Sequence, residues 1–185
     1  ILSRLNEAFR EVNHALEEFK FNDAAFSIYK FIWNEYCDWF IELSKPHLYG
    51  GNDREATQNI LVHVLEASLR LLHPFMPFVT EEIRSKLPAT SGSVMETSFP
   101  QYRENNLDPE VEKTFSTVIN VITCVRNIRG EMNLNPGLNL DLLIRTEHDQ
   151  QATILKNNSY YINSLSRTSL VESSPVVKKP RVSAS

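Results

Sequence analysis

Leu2, Leu5, Phe9, Val12, Leu16 and Phe19 recur at steps of 3, 4, 3, 4 and 3. That period lays one apolar stripe along an α-helix and obliges the helix to bury it against a partner. Arg4, Asn6, Glu7, Arg10, Glu11, Glu17 and Glu18 fill the opposite side. A chain that opens on so sharp a stripe folds by packing helices, and the later segments bear this out.

Asn22 or Asp23 offers an N-cap for a second helix running to about Ser44, where Pro46 and Gly50-Gly51 read as its stop. This helix is apolar on two sides. Ala25, Ile28, Ile32, Trp39 and Leu43 make one stripe, and Phe26, Trp33, Cys37 and Phe40 another. Such a helix either sits centrally in a bundle or turns one face to a ligand. A third helix starts after Asn52 or Asp53 on Ile60, Leu61, Val64, Leu65, Leu69 and Leu72, and His73-Pro74-Phe75-Met76-Pro77 forces a corner. A short fourth helix follows over about 77–87. Residues 88–107 are polar and irregular, but Val94, Met95, Phe99 and Tyr102 predict a loop lying on the bundle. Asp108-Pro109-Glu110 starts a fifth helix with an N-cap acid, a first-position Pro and an acid in the first turn. It runs to about Met132, and residues 133–137 end it.

The period then changes from 3.6 to 2. Leu138, Leu140, Leu142 and Ile144 alternate with Asn139, Asp141, Leu143 and Arg145, a half-buried strand. A helix over roughly 148–163 and a short strand over 168–172 follow. The expected fold is mainly α: a bundle of about five helices over residues 1–135, then a small, truncated α/β appendix over 136–185. No internal repeat is visible.

With 185 residues, a core can form without staples. Cys37 and Cys124 are the two cysteines, so a disulfide framework and a structural zinc site are not expected, and a reducing cytosol is the simplest compartment. No apolar run reaches the roughly 18 residues a membrane span needs. The first ten residues hold no signal pattern and read as the inside of a helix in a longer protein. Residues 1–110 hold 10 Lys and Arg against 17 Asp and Glu, whereas residues 111–185 hold 9 against 6. A polyanionic partner would therefore favour the second part or a surface shared by both.

Catalytic signals are absent: no Gly-rich phosphate cradle, no Gly-x-Ser-x-Gly elbow, no His-Glu-x-x-His pair. No catalytic or metal residue is assigned. Binding has the better case. Arg126, Asn127, Arg129 and Asn133 gather at the end of the fifth helix, where guanidinium forks suit phosphate or guanine edges and amides suit base edges. The alternative is that these cations only complement the helix dipole and bridge to acids. Tyr29, Lys30 and Asn34 on the second helix are aromatic, basic and amide groups of the kind that stack on and read unpaired bases. Trp33 is assigned to the core. Lys45, His47 and Tyr49 form a weaker candidate, and Lys178, Lys179 and Arg181 a basic tail.

Three segments resemble a known family. Phe31-Ile32-Trp33-Asn34-Glu35-Tyr36-Cys37-Asp38-Trp39-Phe40-Ile41-Glu42 is similar to the Cys-Asp-Trp helix of valyl-tRNA synthetases. His73-Pro74-Phe75-Met76-Pro77 to Glu82 resembles a turn-helix segment shared by the valyl, leucyl and isoleucyl enzymes. Arg126-Asn127-Ile128-Arg129-Gly130-Glu131, followed by Pro136, resembles the Arg-x-x-Arg-x-Glu…Pro segment of the valyl branch. Phe40 stands where Tyr is usual, and Arg84 where Trp is often found. The likeness runs through essentially the whole chain.

The resemblance implies the C-terminal anticodon-binding region of a class Ia aminoacyl-tRNA synthetase. On that reading the chain positions tRNA(Val) for valylation by a catalytic domain in cis, upstream of it. ATP and Mg2+ would serve that domain, with no cofactor in this stretch. The parent would be cytoplasmic and monomeric, with no membrane contact. A helical protein–protein adaptor, or the equivalent domain of an isoleucyl or leucyl enzyme, is the competing expectation.

Overall fold

The computed structural model describes residues 1–50, 53–135, 137–146, 148–174 and 176. These form two compact units, Ile1–Asp108 and Pro109–Ser185. No helix among the described residues is long and apolar enough to cross a membrane.

The first unit begins with α1 (Leu2–Glu17). Its buried row is Leu5, Ala8, Val12 and Ala15, with Phe9 and Leu16 packed partly buried beside it. The helix has the expected period, but Leu2 and Phe19 at the stripe's ends are exposed. α1 closes in a Schellman turn: Phe19 N–H donates to Leu16 O at 3.0 Å and Lys20 N–H to Ala15 O at 2.8 Å. The turn leaves Phe19, a residue with a bulky Cβ substituent, at φ +58°. α2 (Phe21–Lys30) then starts directly after Lys20, ahead of either predicted cap.

Beyond Lys30 the helix does not end but rewinds. Phe31–Phe40 is π-helical, with the backbone bonded i to i+5, and α3 (Ile41–Gly50) continues it. Pro46 lies within α3 and does not end it at Ser44 as expected. A Pro removes one ladder bond at a cost of about 3 kcal/mol, and packing of α3 against α4 (Arg54–Leu72) keeps the segment helical. The π winding also resets which residues face inward. Buried positions run Ala24, Ile28, Phe31 and then Tyr36, a step of five across the π segment. Trp33 lies two residues beyond buried Phe31, on the opposite side of the helix and in line with exposed Phe26 and Tyr29; it is 57% exposed, not in the core as expected.

Asp53, one of the two expected starts, stands at the N-cap position of α4 without a side-chain cap bond; Gly51 and Asn52 lie outside the described residues. It supplies Val64, Ala67 and Leu71 to the core, turns at His73 and hands over to α5 (Pro77–Arg84). Thr80 locks this corner. Its hydroxyl donates to Met76 O at 2.8 Å, and His73 Nδ1 lies 2.7 Å from the Thr80 Oγ1 itself.

Residues 88–108 form a strap held by polar side chains of α1. Asn6, 2% exposed, pairs with the backbone of Arg103 in both directions: Nδ2 donates to Arg103 O at 2.8 Å and Oδ1 accepts from Arg103 N–H at 2.9 Å. Asn13 Nδ2 donates to Pro100 O, Ser3 Oγ accepts from Asp108 N–H, and Arg10 sits 5.9 Å above the Tyr102 ring. Val94 is buried and Phe99 packs on the core, but Met95 is exposed.

The second unit opens with α6 (Pro109–Glu131), whose buried Val118, Ile122 and Val125 sit with Leu155 and Ile162 of α7 (Asp149–Asn157) and α8 (Ser159–Ser166). The expected single helix over 148–163 is two, broken at Asn158, whose Nδ2 donates back to Ile154 O at 2.8 Å. Strands β1 (Leu140–Arg145) and β2 (Thr168–Ser174) pair in parallel from Leu140↔Thr168 to Arg145↔Ser174, with an irregularity between Leu142 and Leu143. Parallel strands need a crossover, and α7 and α8 are that crossover.

Candidate functional site

The two candidate clusters lie in different units. In the first, Tyr29 and Trp33 stand one helical turn apart across the α2–π junction. Their rings are nearly parallel, 6° between planes and 6.3 Å between centroids, and 59% and 57% exposed. Lys30 and Asn34 follow each of them and are exposed as well. Lys30 also borders a shallow cleft, together with Arg4, Glu7, Glu11, Ser27 and Glu35. Arg4 clamps Glu35 bidentately, Nε to Oε2 at 2.7 Å and Nη2 to Oε1 at 2.8 Å. Glu7 is engaged by Arg10. Lys30 has no ion-pair partner among the described residues, so its ammonium is free to meet an anion.

In the second cluster the C-terminus of α6 ends in another Schellman turn, with Asn133 N–H on Gly130 O at 3.1 Å and Leu134 N–H on Arg129 O at 3.0 Å. Asn133 takes the left-handed position at φ +50°, where Asn is tolerated better than most residues. Arg129 is half-buried and gathers backbone: its guanidinium donates to Asn135 O and Leu138 O at 2.9 Å each and to Arg167 O at 3.4 Å. Arg126 Nε donates to Leu165 O at 3.1 Å. Both arginines thus tie the helix end to β1 and to the α8–β2 turn, a task the spacing of the sequence did not announce. Asn127 is exposed.

Among the remaining candidates, Lys45 pairs with Glu42 at 2.6 Å, His47 is half-buried and Tyr49 is exposed. Lys178, Lys179, Arg181 and Pro136 lie outside the described residues. His63 is exposed on α4. Among the described residues no three His, Cys, Asp or Glu side chains gather to hold a metal. Trp33 is the residue that sequence reasoning missed: of the two apolar stripes of this helix, the one through Phe26 and Trp33 faces outward.

Residues 1–144 match the family model for the anticodon-binding domain of tRNA ligase. The chain belongs to that family. tRNA is accordingly the partner class of this anticodon-binding domain. Three similar proteins carry the name valine–tRNA ligase. One is from Thermotoga maritima, 46% identical over 78% of this chain and 17% of its own length. A second, from Fervidobacterium nodosum, is 40% identical over the whole chain and 20% of its own length. The third, from Geobacter sulfurreducens, is 43% identical over 91% of the chain and 20% of its own length. The chain spans about one-fifth of the length of these curated relatives. Within the anticodon-binding domain, both clusters fall inside the matched residues.

Proposed function

We propose that this anticodon-binding domain belongs to a valine–tRNA ligase and grips the anticodon arm of tRNA(Val). Valine–tRNA ligases from several bacteria, similar over 78% or more of the chain, support that reading. The observation that carries the binding surface is the exposed row Tyr29, Lys30, Trp33 and Asn34, with its ammonium uncommitted. Arg126, Asn127, Arg129 and Asn133 form the second contact. The guanidiniums of Arg126 and Arg129 hold the α6 terminus in shape, and the exposed Asn127 amide beside them is of the kind that meets base edges.

On this reading the domain does no bond-making. It holds one end of the tRNA so that the distant acceptor end reaches a catalytic part in cis, where valine would be joined to tRNA using ATP and Mg2+. That is catalysis by positioning. The parent is proposed to act in the cytoplasm as a monomer.

Fluorescence anisotropy of this chain with a valine-anticodon stem-loop and an anticodon-swapped control, at two salt concentrations, tests the reading. Phosphate contacts alone give salt-sensitive, sequence-blind affinity. A preference for the valine anticodon that survives higher salt is the expected result. Absence of binding at both salts overturns it and favours the protein-adaptor reading.

A further inference from the structure

α5 carries its polar residues inward and its apolar residues outward. Thr80 and Arg84, one turn apart, are its buried positions. Met76 before the helix and Phe78, Val79 and Ile83 within it are exposed, Phe78 to 88%. A surface helix of a globular protein shows the reverse arrangement, with its apolar stripe toward the core. The unit does not need the apolar row to hold this helix. Thr80 Oγ1 lies 2.8 Å from Met76 O and 3.1 Å from Pro77 O, and Arg84 bonds Glu66, Ser91 O and Gly92 O. Glu81 Oε2 accepts from Val94 N–H at 2.9 Å, which brings the exposed Met95 beside the same helix. Polar bonds thus fix α5 from within, and its aromatic and aliphatic side chains are left in water. Apolar side chains grouped in this way mark a docking surface.

The chemistry and size of the face select its occupant. Glu82 is the charged residue on the outward side of α5, and it is an acid paired with Lys86, so the face offers a polyanion no net attraction. A second copy needs about 800 Å² from each partner for a stable interface, and eight residues of helix fall short of that. A part of the same polypeptide needs far less, because tethering holds it at a high effective concentration. The chain spans about one-fifth of the length of the similar valine–tRNA ligases, which leaves room for such a part.

We propose that Met76, Phe78, Val79 and Ile83 form the contact by which this domain docks on an apolar face elsewhere in the same, longer polypeptide. This rests on the ligase reading above. The contact is stiffly joined to the rest of the unit, since Arg84 ties α5 to Glu66 of α4 and to the strap. Docking through α5 therefore sets the angle at which the whole helical unit is held.

The experiment compares the 185-residue chain with the full-length polypeptide that carries it. Phe78→Cys and Ile83→Cys are labelled with a maleimide and read peptide by peptide by mass spectrometry, beside His63→Cys, an exposed position on α4. Labelling at 78 and 83 is expected to slow about tenfold or more in the full-length protein, in proportion to the docked population, while labelling at 63 changes little. Equal rates at 78 and 83 in the two proteins overturn the docking and leave the ligase reading standing. Slow labelling already in the 185-residue chain, relieved by dilution, overturns it in favour of a second copy. Adding Phe78→Asp should restore fast labelling of Ile83→Cys in the full-length protein, with the urea midpoint and stem-loop affinity of the 185-residue chain unchanged. Failure to restore it removes Phe78 from the contact and overturns the assignment. Charging of tRNA with valine by the full-length protein is measured separately, and its absence refutes the ligase reading without altering the labelling result.

Discussion

Arg84 is 6% exposed, and its Nε lies 3.1 Å from Glu66 Oε1. The other carboxylate oxygen of Glu66 takes Arg70 Nε at 3.0 Å, so one acid on α4 compensates two guanidiniums. Arg84 also donates from Nη1 to Ser91 O at 3.3 Å and Gly92 O at 2.8 Å, and Arg70 from Nη1 to Ser98 O at 2.8 Å. The strap is thereby held to α4 and α5 by arginines that a single carboxylate keeps in place. This explains how Arg84 is accommodated where the family often carries Trp: the space is filled by a paired, hydrogen-bonded cation.

Glu66→Ala therefore leaves a buried guanidinium without its counter-charge. The expected loss is about 3 kcal/mol of stability in urea unfolding, since breaking a buried pair costs more than the pair contributes. A loss below about 1 kcal/mol would show that the carboxylate is dispensable.

At the α1–α2 corner, Phe19 sits at φ +58° with its ring 79% exposed. Left-handed backbone costs an L-residue about 1–2 kcal/mol, and an exposed ring returns little of it. Phe19→Gly is expected to raise the unfolding free energy by about 1 kcal/mol, measured by thermal or urea unfolding. A destabilised variant would mean that the ring's edge-on contact with Phe21, 6.4 Å between centroids, outweighs the strain.

Burial pushes the Tyr36 hydroxyl up to about 12, with Cys37 beside it a smaller cause. The hydroxyl donates to Leu61 O at 3.1 Å. Because the unfolded chain ionises near pH 10, the contribution of neutral Tyr36 is complete below about pH 10 and is lost as pH rises through about 12. Alkaline unfolding followed by tyrosinate absorbance should show this loss, and Tyr36→Phe should flatten stability over that window. An unchanged slope in Tyr36→Phe would contradict it.

The arginines of α6 should separate under mutation. Arg129 reaches three carbonyls, so Arg129→Ala is expected to cost about 2 kcal/mol, and Arg129→Lys should not restore it because one ammonium cannot span them. Arg126→Ala is expected instead to weaken RNA binding and to lower the salt slope by about one phosphate. Equal behaviour of the two variants in both measurements would contradict the division.

Much of the fold was legible because helix periods and caps act locally. The α1 period, the helix start at Asp53, the proline corner after His73 and the Asp108-Pro109 start all appear in the structure. What escaped was nonlocal. The π-helical turn shifts the inward row from Phe31 to Tyr36, and no residue type enforces that winding; which of two apolar stripes faces inward, and so that Trp33 faces outward, is set by the helices that pack there. Pro46 fails to end its helix because tertiary packing against α4 overrides a local preference. The backbone-gathering role of Arg129 depends on residues 135, 138 and 167 arriving beside it, which a pattern of Arg and Asn along one helix does not encode.

Amide hydrogen exchange of the chain, with and without a saturating valine-anticodon stem-loop, tests the central claim most directly. The account predicts added protection over residues 29–34 and 126–133 together. Saturation of the RNA with protection confined to other segments would contradict it.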